Sequence, residues 1–288
     1  MDYPALHSAA NKLSDSSQRS YLWALRIEYL LLITCAAMSV NSPNSSEYYY
    51  IYTFVFASAL VAFLARFARK PEQSWYKGRA LAESVKTSSW KFAMRAAPFD
   101  DLNDNADLAD FRNLMKSILE TNMYAAERLP PSSADNAQVT ASMLNIRQSS
   151  LEERIKFYDK ERIRDQRNWY TKKAARNKTA AVNWVVICSF VYVLAIISSL
   201  VRANNPLWTF LPTEPLIAIA SSIVGWMQIK KFNELSSAYT LTAHEIGFLQ
   251  SLIQSIDCEK KFSEFVNEAE FAFSREHTQW AARLSASA

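Results

Sequence analysis

Residues 179–201 read TAAVNWVVICSFVYVLAIISSLV without a single charge, and about 20 mostly apolar residues are enough for a helix to cross the hydrocarbon of a bilayer. Two further stretches have the same character. Residues 29–46 carry no charge, residues 48–65 (YYYIYTFVFASALVAFLA) carry none, and Glu47 stands alone between them. Asn41, Ser42, Pro43, Asn44 and Ser45 supply the turn of a tight hairpin. A fourth segment, 215–229 (PLIAIASSIVGWMQI), is shorter. Trp208, Phe210 and Leu211 extend its apolar length, and Pro215 suits a helix's first turn, where a missing N–H does no harm. The expectation is four spans, about 24–42, 48–66, 180–201 and 209–229. The alternative is that the fourth lies in the interface.

The distribution of cations sets the expected orientation, because Lys and Arg near membrane ends concentrate on the cytoplasmic side. The turn at 41–47 has neither, and the loop at 202–214 has only Arg202. Arg66, Arg69 and Lys70 follow the second segment, Lys172, Lys173, Arg176 and Lys178 precede the third, and Lys230 and Lys231 follow the fourth. Both termini and the central linker are therefore expected in the cytoplasm. A cleavable signal peptide would explain the first segment, but a second apolar helix follows within a few residues and no small-residue cleavage site precedes it.

Glycine excludes most other architectures. The chain has only Gly78, Gly225 and Gly247, whereas Rossmann folds, P-loops and β-hairpins rely on glycine for conformations that other residues resist. The remainder, rich in Ala, Leu, Glu, Lys, Arg and Ser, reads as helix. A net charge of +4 gives no reason to expect nucleic acid. Cys35, Cys188 and Cys258 have no metal-ligand spacing, so neither a disulfide framework nor a zinc site is expected.

The layout occurs twice. Gln18, Arg19, Ser20 and Tyr21 precede the first hairpin, and Gln166, Arg167, Asn168 and Trp169 precede the second. Each hairpin leads into a basic exit and a long amphipathic helix, which predicts units 1–136 and 137–288 with a boundary at the polar stretch from Pro130 to Asn136. The charged run 139–178, with Glu152, Glu153, Arg154, Lys156, Asp159, Lys160, Glu161 and Arg162, reads as a solvated helix face with i,i+4 pairing. Arg79, Glu83, Lys86 and Trp90 stack along one stripe. Near the C-terminus Arg275, Glu276, His277, Trp280 and Arg283 follow an apolar face of Phe262, Phe265, Val266, Ala269 and Phe273. These two sets are expected to form an inter-helix polar network, with Arg79 or Lys86 pairing Glu276. An anionic ligand in the same gap is the alternative.

No HExxH, GxSxG, Walker or paired-carboxylate arrangement occurs, so no catalytic residue, metal or cofactor is expected and the chain is not read as an enzyme. The acidic stretch from Asp100 to Asn105 fails as a calcium loop, because Ala106 and Arg112 fall where a glycine and a glutamate are required.

At these residues the sequence resembles the SLATT family, bacterial two-helix membrane domains associated with nucleotide-second-messenger conflict systems. The first half does so through Trp75, Tyr76, Arg79, Ala80, Ala82, Glu83, Ser84, Lys86, Thr87, Trp90, Pro98 and Phe99. The second does so through Phe265, Val266, Glu268, Glu270, Ser274, Arg275, Glu276, His277, Thr278 and Trp280. The resemblance implies an all-α protein of two tandem transmembrane hairpins whose long cytoplasmic helices form a bundle. It also implies a bacterial inner-membrane effector of a conflict or anti-phage system, assembled as a homo-oligomer into a pore. The implied partners are the lipid bilayer and a nucleotide-second-messenger sensor or synthase. Ser189, Ser198, Ser199, Ser221 and Ser222 suit helix contacts in lipid. A non-conducting scaffold or sensor, binding a partner through its cytoplasmic helices, is the alternative function.

Overall fold

The structure, a computed structural model, describes residues 1–40, 42–101, 103–131, 137–205 and 207–285, with side chains as far as Ser274. The described residues contain no strand. In chain order they form α1 (Ala5–Met38), α2 (Ser46–Arg69), α3 (Pro71–Ala93), α4 (Asp104–Thr121), the short α5 (Met123–Ala126), α6 (Ala141–Arg147) and α7 (Leu151–Tyr158). A π-helical turn (Asp159–Arg164) leads into α8 (Asp165–Asn204), followed by α9 (Thr213–Lys230), α10 (Phe232–Leu252) and α11 (Glu259–Ser285). The protein is thus all-α, as its composition requires.

The two hairpins end alike. α2 stops at Lys70 (φ 45°) and α9 at Lys231 (φ 48°), each in the left-handed conformation, and each N–H bonds the carbonyl four residues back. Only a single residue separates α2 from α3 and α9 from α10. A lysine in this conformation costs roughly 1–2 kcal/mol, and its occurrence at both exits is structural repetition that residue identity barely shows.

Two compact units emerge, and each draws on both sequential halves: Met1–Gln18, Glu72–Lys173 and Ala238–Ala288 form one, and Arg19–Pro71 with Ala174–Ser237 form the other. The second is the membrane unit. Its helices leave large apolar side chains outside, including Tyr50, Phe54, Val61, Phe67, Val186, Phe190 and Leu200. Stretches long and apolar enough to cross a membrane lie in Ala5–Met38, Ser46–Ala93 and Leu151–Asn204, and in the second only 6% of the apolar window is buried. Such a surface is tolerated where lipid replaces water. α9 falls short of that mark: its 18 residues span about 27 Å at ~1.5 Å per residue, with Glu214 and Lys230 at its ends. It packs on α8 through Ala220 and Ile223 against Cys188 and Val191. α1 begins at Ala5, far upstream of the expected span, because its first turns belong to the other unit.

That other unit has a conventional core. Leu6 and Ala10 of α1 join Leu81, Ala82, Val85 and Phe92 of α3, Phe111 and Met115 of α4, and Phe99, Ala125 and Met143. Gly78 lets two helices touch backbone to backbone: a Cβ there would lie 3.1 Å from the Ser14 nitrogen and 3.3 Å from the Ala10 carbonyl oxygen. Phe92, Phe99 and Phe111 pack ring on ring.

The charged run 139–178 corrects its sequence reading. It is not one helix but α6, α7, the π turn and the start of α8, and it is solvated only in part. Lys156 pairs with Glu152 in the open, whereas Arg147, Arg154 and Arg162 are buried. Arg147 donates to the carbonyls of Phe92 (2.8 Å) and Phe99 (3.0 Å) and pairs with Asp104 and Asp107. Arg154 donates to the Met94 carbonyl (2.8 Å) and pairs with Glu259. Two of these carbonyls, Phe92 and Met94, lie at the C-terminal end of α3, where intrahelical donors run out. The π turn, Asp159–Arg164, carries Arg162 within this buried series. Arg154, Tyr158 and Arg162 face inward at intervals of four, with Ile163 buried beside Arg162 and Tyr170 and Ala174 buried farther along α8.

Candidate functional site

A buried polar cluster of the extramembrane unit lies where α3, the π turn and α11 meet. Glu270 sits on α11 four residues after Val266 and three before Phe273, which places a carboxylate within an otherwise apolar face. Phe262, Phe265, Val266, Ala269 and Phe273 are all buried, and Glu270 is 0% exposed. Four donors among the described residues converge on it. Arg162 contributes Nε (2.8 Å) and Nη2 (2.6 Å) as a bidentate pair, the Tyr158 hydroxyl donates at 2.9 Å, and Thr87 Oγ1 of α3 donates at 3.1 Å. With its carboxylate so fully hydrogen-bonded, Glu270 tolerates burial that would otherwise be prohibitive.

Arg162 is 1% exposed. Beyond Glu270, its other carboxylate neighbour among the described residues is Glu83, 3.7 Å from Nη2. Nη1 has no hydrogen-bond partner among them, but the guanidinium carbon lies 4.8 Å from the Phe273 ring centroid and 5.8 Å from that of Trp90. Aromatic faces serve this side of the cation in place of a third acceptor. Burial alone would lower the Arg162 pKa. The Glu270 charge outweighs it and holds the guanidinium protonated.

The N-terminus closes the site. Trp90 donates its Nε1 to the Tyr3 hydroxyl at 2.9 Å, and Tyr3 and His7 lie ring to ring at 4.5 Å. Burial pushes Tyr3 up to about 12. Burial, then the Lys86 charge, pushes His7 down to about 4, so it is neutral. Lys86 is lowered by burial first and then by Arg162. Tyr158 is raised, chiefly by burial.

Of the residues expected to form the polar network, the structure brings Glu83 and Trp90 directly against Arg162 and sets Lys86 on the same α3 stripe. Arg79 lies half-buried one turn earlier on α3. The side chains of Arg275, Glu276, His277, Trp280 and Arg283 lie outside the described residues, and the expected pairing with Glu276 lies there too. The described carboxylate of α11 that meets α3 is Glu270, through Thr87 and Arg162. Arg162, Tyr158 and Tyr3 do not stand out as site residues in the sequence. The signal that could have found them is the spacing of Arg154, Tyr158 and Arg162, which puts two arginines on one face with a tyrosine.

The membrane-segment serines divide. Ser198 is buried and exchanges a 3.0 Å hydrogen bond with Thr213 Oγ1, and Ser222 donates to the Ala218 carbonyl of its own helix. Ser189, Ser199 and Ser221 face outward.

The arrangement binds helices together through a buried ion pair and the hydrogen bonds around it. Among the described residues no group of three metal-ligating side chains converges. Comparison with known families matches residues 4–155 to the SMODS and SLOG-associating 2TM effector domain 3 and residues 158–280 to the SMODS and SLOG-associating 2TM effector domain 1. No curated protein and no solved structure matches the chain. With one matched stretch ending at 155 and the next starting at 158, the chain belongs to the SLATT family, as a tandem of two such membrane effector domains.

Proposed function

We propose that the chain is an effector of a bacterial conflict or anti-phage system that self-associates on activation and opens or perturbs the inner membrane, without catalysing a reaction. The observation that carries this is the outer surface of the membrane unit, where Ser189, Ser199 and Ser221 stand exposed among lipid-facing apolar side chains. Small hydroxyl residues allow close approach and hydrogen bonds between helices in lipid, so this surface suits further copies of the chain. In this reading α9 is the fourth pass, both termini are cytoplasmic by the positive-inside rule, and the signal comes from a nucleotide-second-messenger sensor or synthase acting on the extramembrane helices.

The test is reconstitution into potassium-loaded vesicles, with cross-linking to read self-association. Flux that accompanies a cross-linked ladder, with both reduced when Ser189, Ser199 and Ser221 are changed together to leucine, is the expected result. Vesicles that stay tight around correctly inserted, activated protein would replace the pore with the non-conducting scaffold or sensor.

A further inference from the structure

Arg26 of α1 lies in the membrane unit and has a peculiar environment. Its guanidinium carbon is 5.3 Å from the ring centroid of Trp23 on its own helix and 5.3 Å from that of Trp226 on α9. It makes no hydrogen bond or ion pair with any described residue. The carboxylate two positions on, Glu28, is occupied, since Arg66 of α2 holds it through Nε at 2.6 Å and Nη2 at 3.1 Å. The other acidic residue at this end of the unit, Glu234, lies 3.6 Å from Lys231. A planar fork of N–H donors is thus presented with its aromatic contacts made and its acceptors absent among the described residues.

Arg26 is exposed where α1 and α9 approach closely. A Cβ at Gly225 would fall 2.6 Å from the Tyr29 hydroxyl, so only glycine admits that tyrosine beside Trp226. The level of Arg26 follows from the neighbouring helices. The charge-free run of α2 ends at Arg66, that of α9 ends at Lys230 and Lys231, and that of α8 begins after Lys178. Arg66 is tied to Glu28, and Lys230 Nζ lies 5.7 Å from the Trp226 ring centroid. Arg26 therefore stands where the apolar belt gives way to polar surface, the depth at which indoles gather and phospholipid phosphates lie.

We propose that Arg26, Trp23, Trp226 and Lys230 form a binding site for the phosphate of an anionic phospholipid headgroup. The Arg26 fork donates to two phosphate oxygens, a geometry that arginine matches in a bidentate way. The indoles of Trp23, which is 60% exposed, and Trp226 lie along the glycerol region. The second cation, Lys230, favours an anionic over a zwitterionic headgroup, as basic pockets between membrane helices do.

The experiment is thermal unfolding of the purified full chain in lipid-free detergent, with added phosphatidylglycerol, phosphatidylcholine or inorganic phosphate, together with native mass spectrometry of retained lipid. Phosphatidylglycerol should raise the unfolding temperature more than phosphatidylcholine, and inorganic phosphate should not reproduce the shift. Arg26→Gln and Trp226→Leu should weaken phosphatidylglycerol retention at least tenfold, and Arg26→Lys should keep part of it. Arg26→Gln should unfold within a few degrees of the wild-type temperature without lipid, because only the contacts with the Trp23 and Trp226 rings are lost and no hydrogen bond within the described chain. Retention unchanged in Arg26→Gln would overturn the site. So would an equal response to inorganic phosphate, which would assign it to a free anion. A lipid-independent change of oligomeric state in Arg26→Gln would also overturn it, by assigning the missing acceptor to a neighbouring copy.

Discussion

Replacing Glu270 by leucine and Arg162 by methionine, singly and together, measures how firmly the helices of the extramembrane unit are joined. Glu270→Leu leaves a guanidinium that is 1% exposed with Glu83 at 3.7 Å as its nearest described carboxylate. Arg162→Met leaves a fully buried carboxylate with only Tyr158 and Thr87 as described donors. Removing one partner of a buried pair costs about 3 to 5 kcal/mol, because the other charge remains uncompensated. The double variant removes both charges. It forfeits the Tyr158 and Thr87 hydrogen bonds to Glu270, at about 1 kcal/mol each, and should lose only about 2 kcal/mol in all. The two single losses would sum to about 6 to 10 kcal/mol, so the coupling should be at least ~4 kcal/mol. For a domain of this size 1 kcal/mol moves the unfolding temperature by about 2 to 4 °C. Each single variant should thus melt roughly 6 to 20 °C below wild type and the double well above either, by scanning calorimetry in detergent. Singles that lose under about 1 kcal/mol would mean a solvated pair. A double variant that loses as much as both singles combined would mean that the charges are held by their own surroundings and not by each other.

His7 should make the same unit acid-sensitive. Its pKa falls to about 4 in the folded chain from 6.5 when free, so the unfolded state takes up the proton first. The stability that His7 contributes is complete above pH 6.5 and is lost as pH falls toward 4. The total is about 3 kcal/mol, because each pH unit between the folded and unfolded pKa values corresponds to ~1.4 kcal/mol. His7→Gln should flatten that limb of the melting curve, and an unchanged slope would remove His7 as its source. In the membrane unit, Gly225→Ala should destabilise by about 1 to 3 kcal/mol through overpacking. Adding Tyr29→Phe should restore most of this, because the hydroxyl is the atom met at 2.6 Å; a double variant no better than Gly225→Ala would place the strain elsewhere. For orientation, a membrane-impermeant maleimide on intact cells should label a cysteine placed at Ser45 and leave the exposed Cys258 unlabelled; strong labelling of Cys258 would invert the topology.

Particular residues show how far the chain could be read without its fold. The apolar face Phe262, Phe265, Val266, Ala269 and Phe273 was legible because helical periodicity alone aligns it, and every member is buried. Glu83 and Trp90 were legible as a stripe for the same reason. Arg154 and Arg162 were not, since a run with alternating charges reads as solvated until the partners are known. Those partners, Met94, Glu259 and Glu270, are 60, 105 and 108 positions away. The π turn was also invisible, because it changes neither the composition nor the charge pattern of the run.

By itself the sequence determined the all-helical class of the fold and three stretches long and apolar enough to cross a membrane, because hydropathy and glycine content act locally and need no partner. It also determined the repetition of the hairpins and the family. Only the tertiary structure decided that each compact unit takes helices from both halves and that three arginines lie buried. It also decided that Glu28 is consumed by Arg66 while Arg26 is left with two indoles and no acceptor among the described residues. Whether a charge is satisfied depends on which distant group stands within about 3 Å of it, and that distance is a property of the packed helices, not of the order of residues along any one of them.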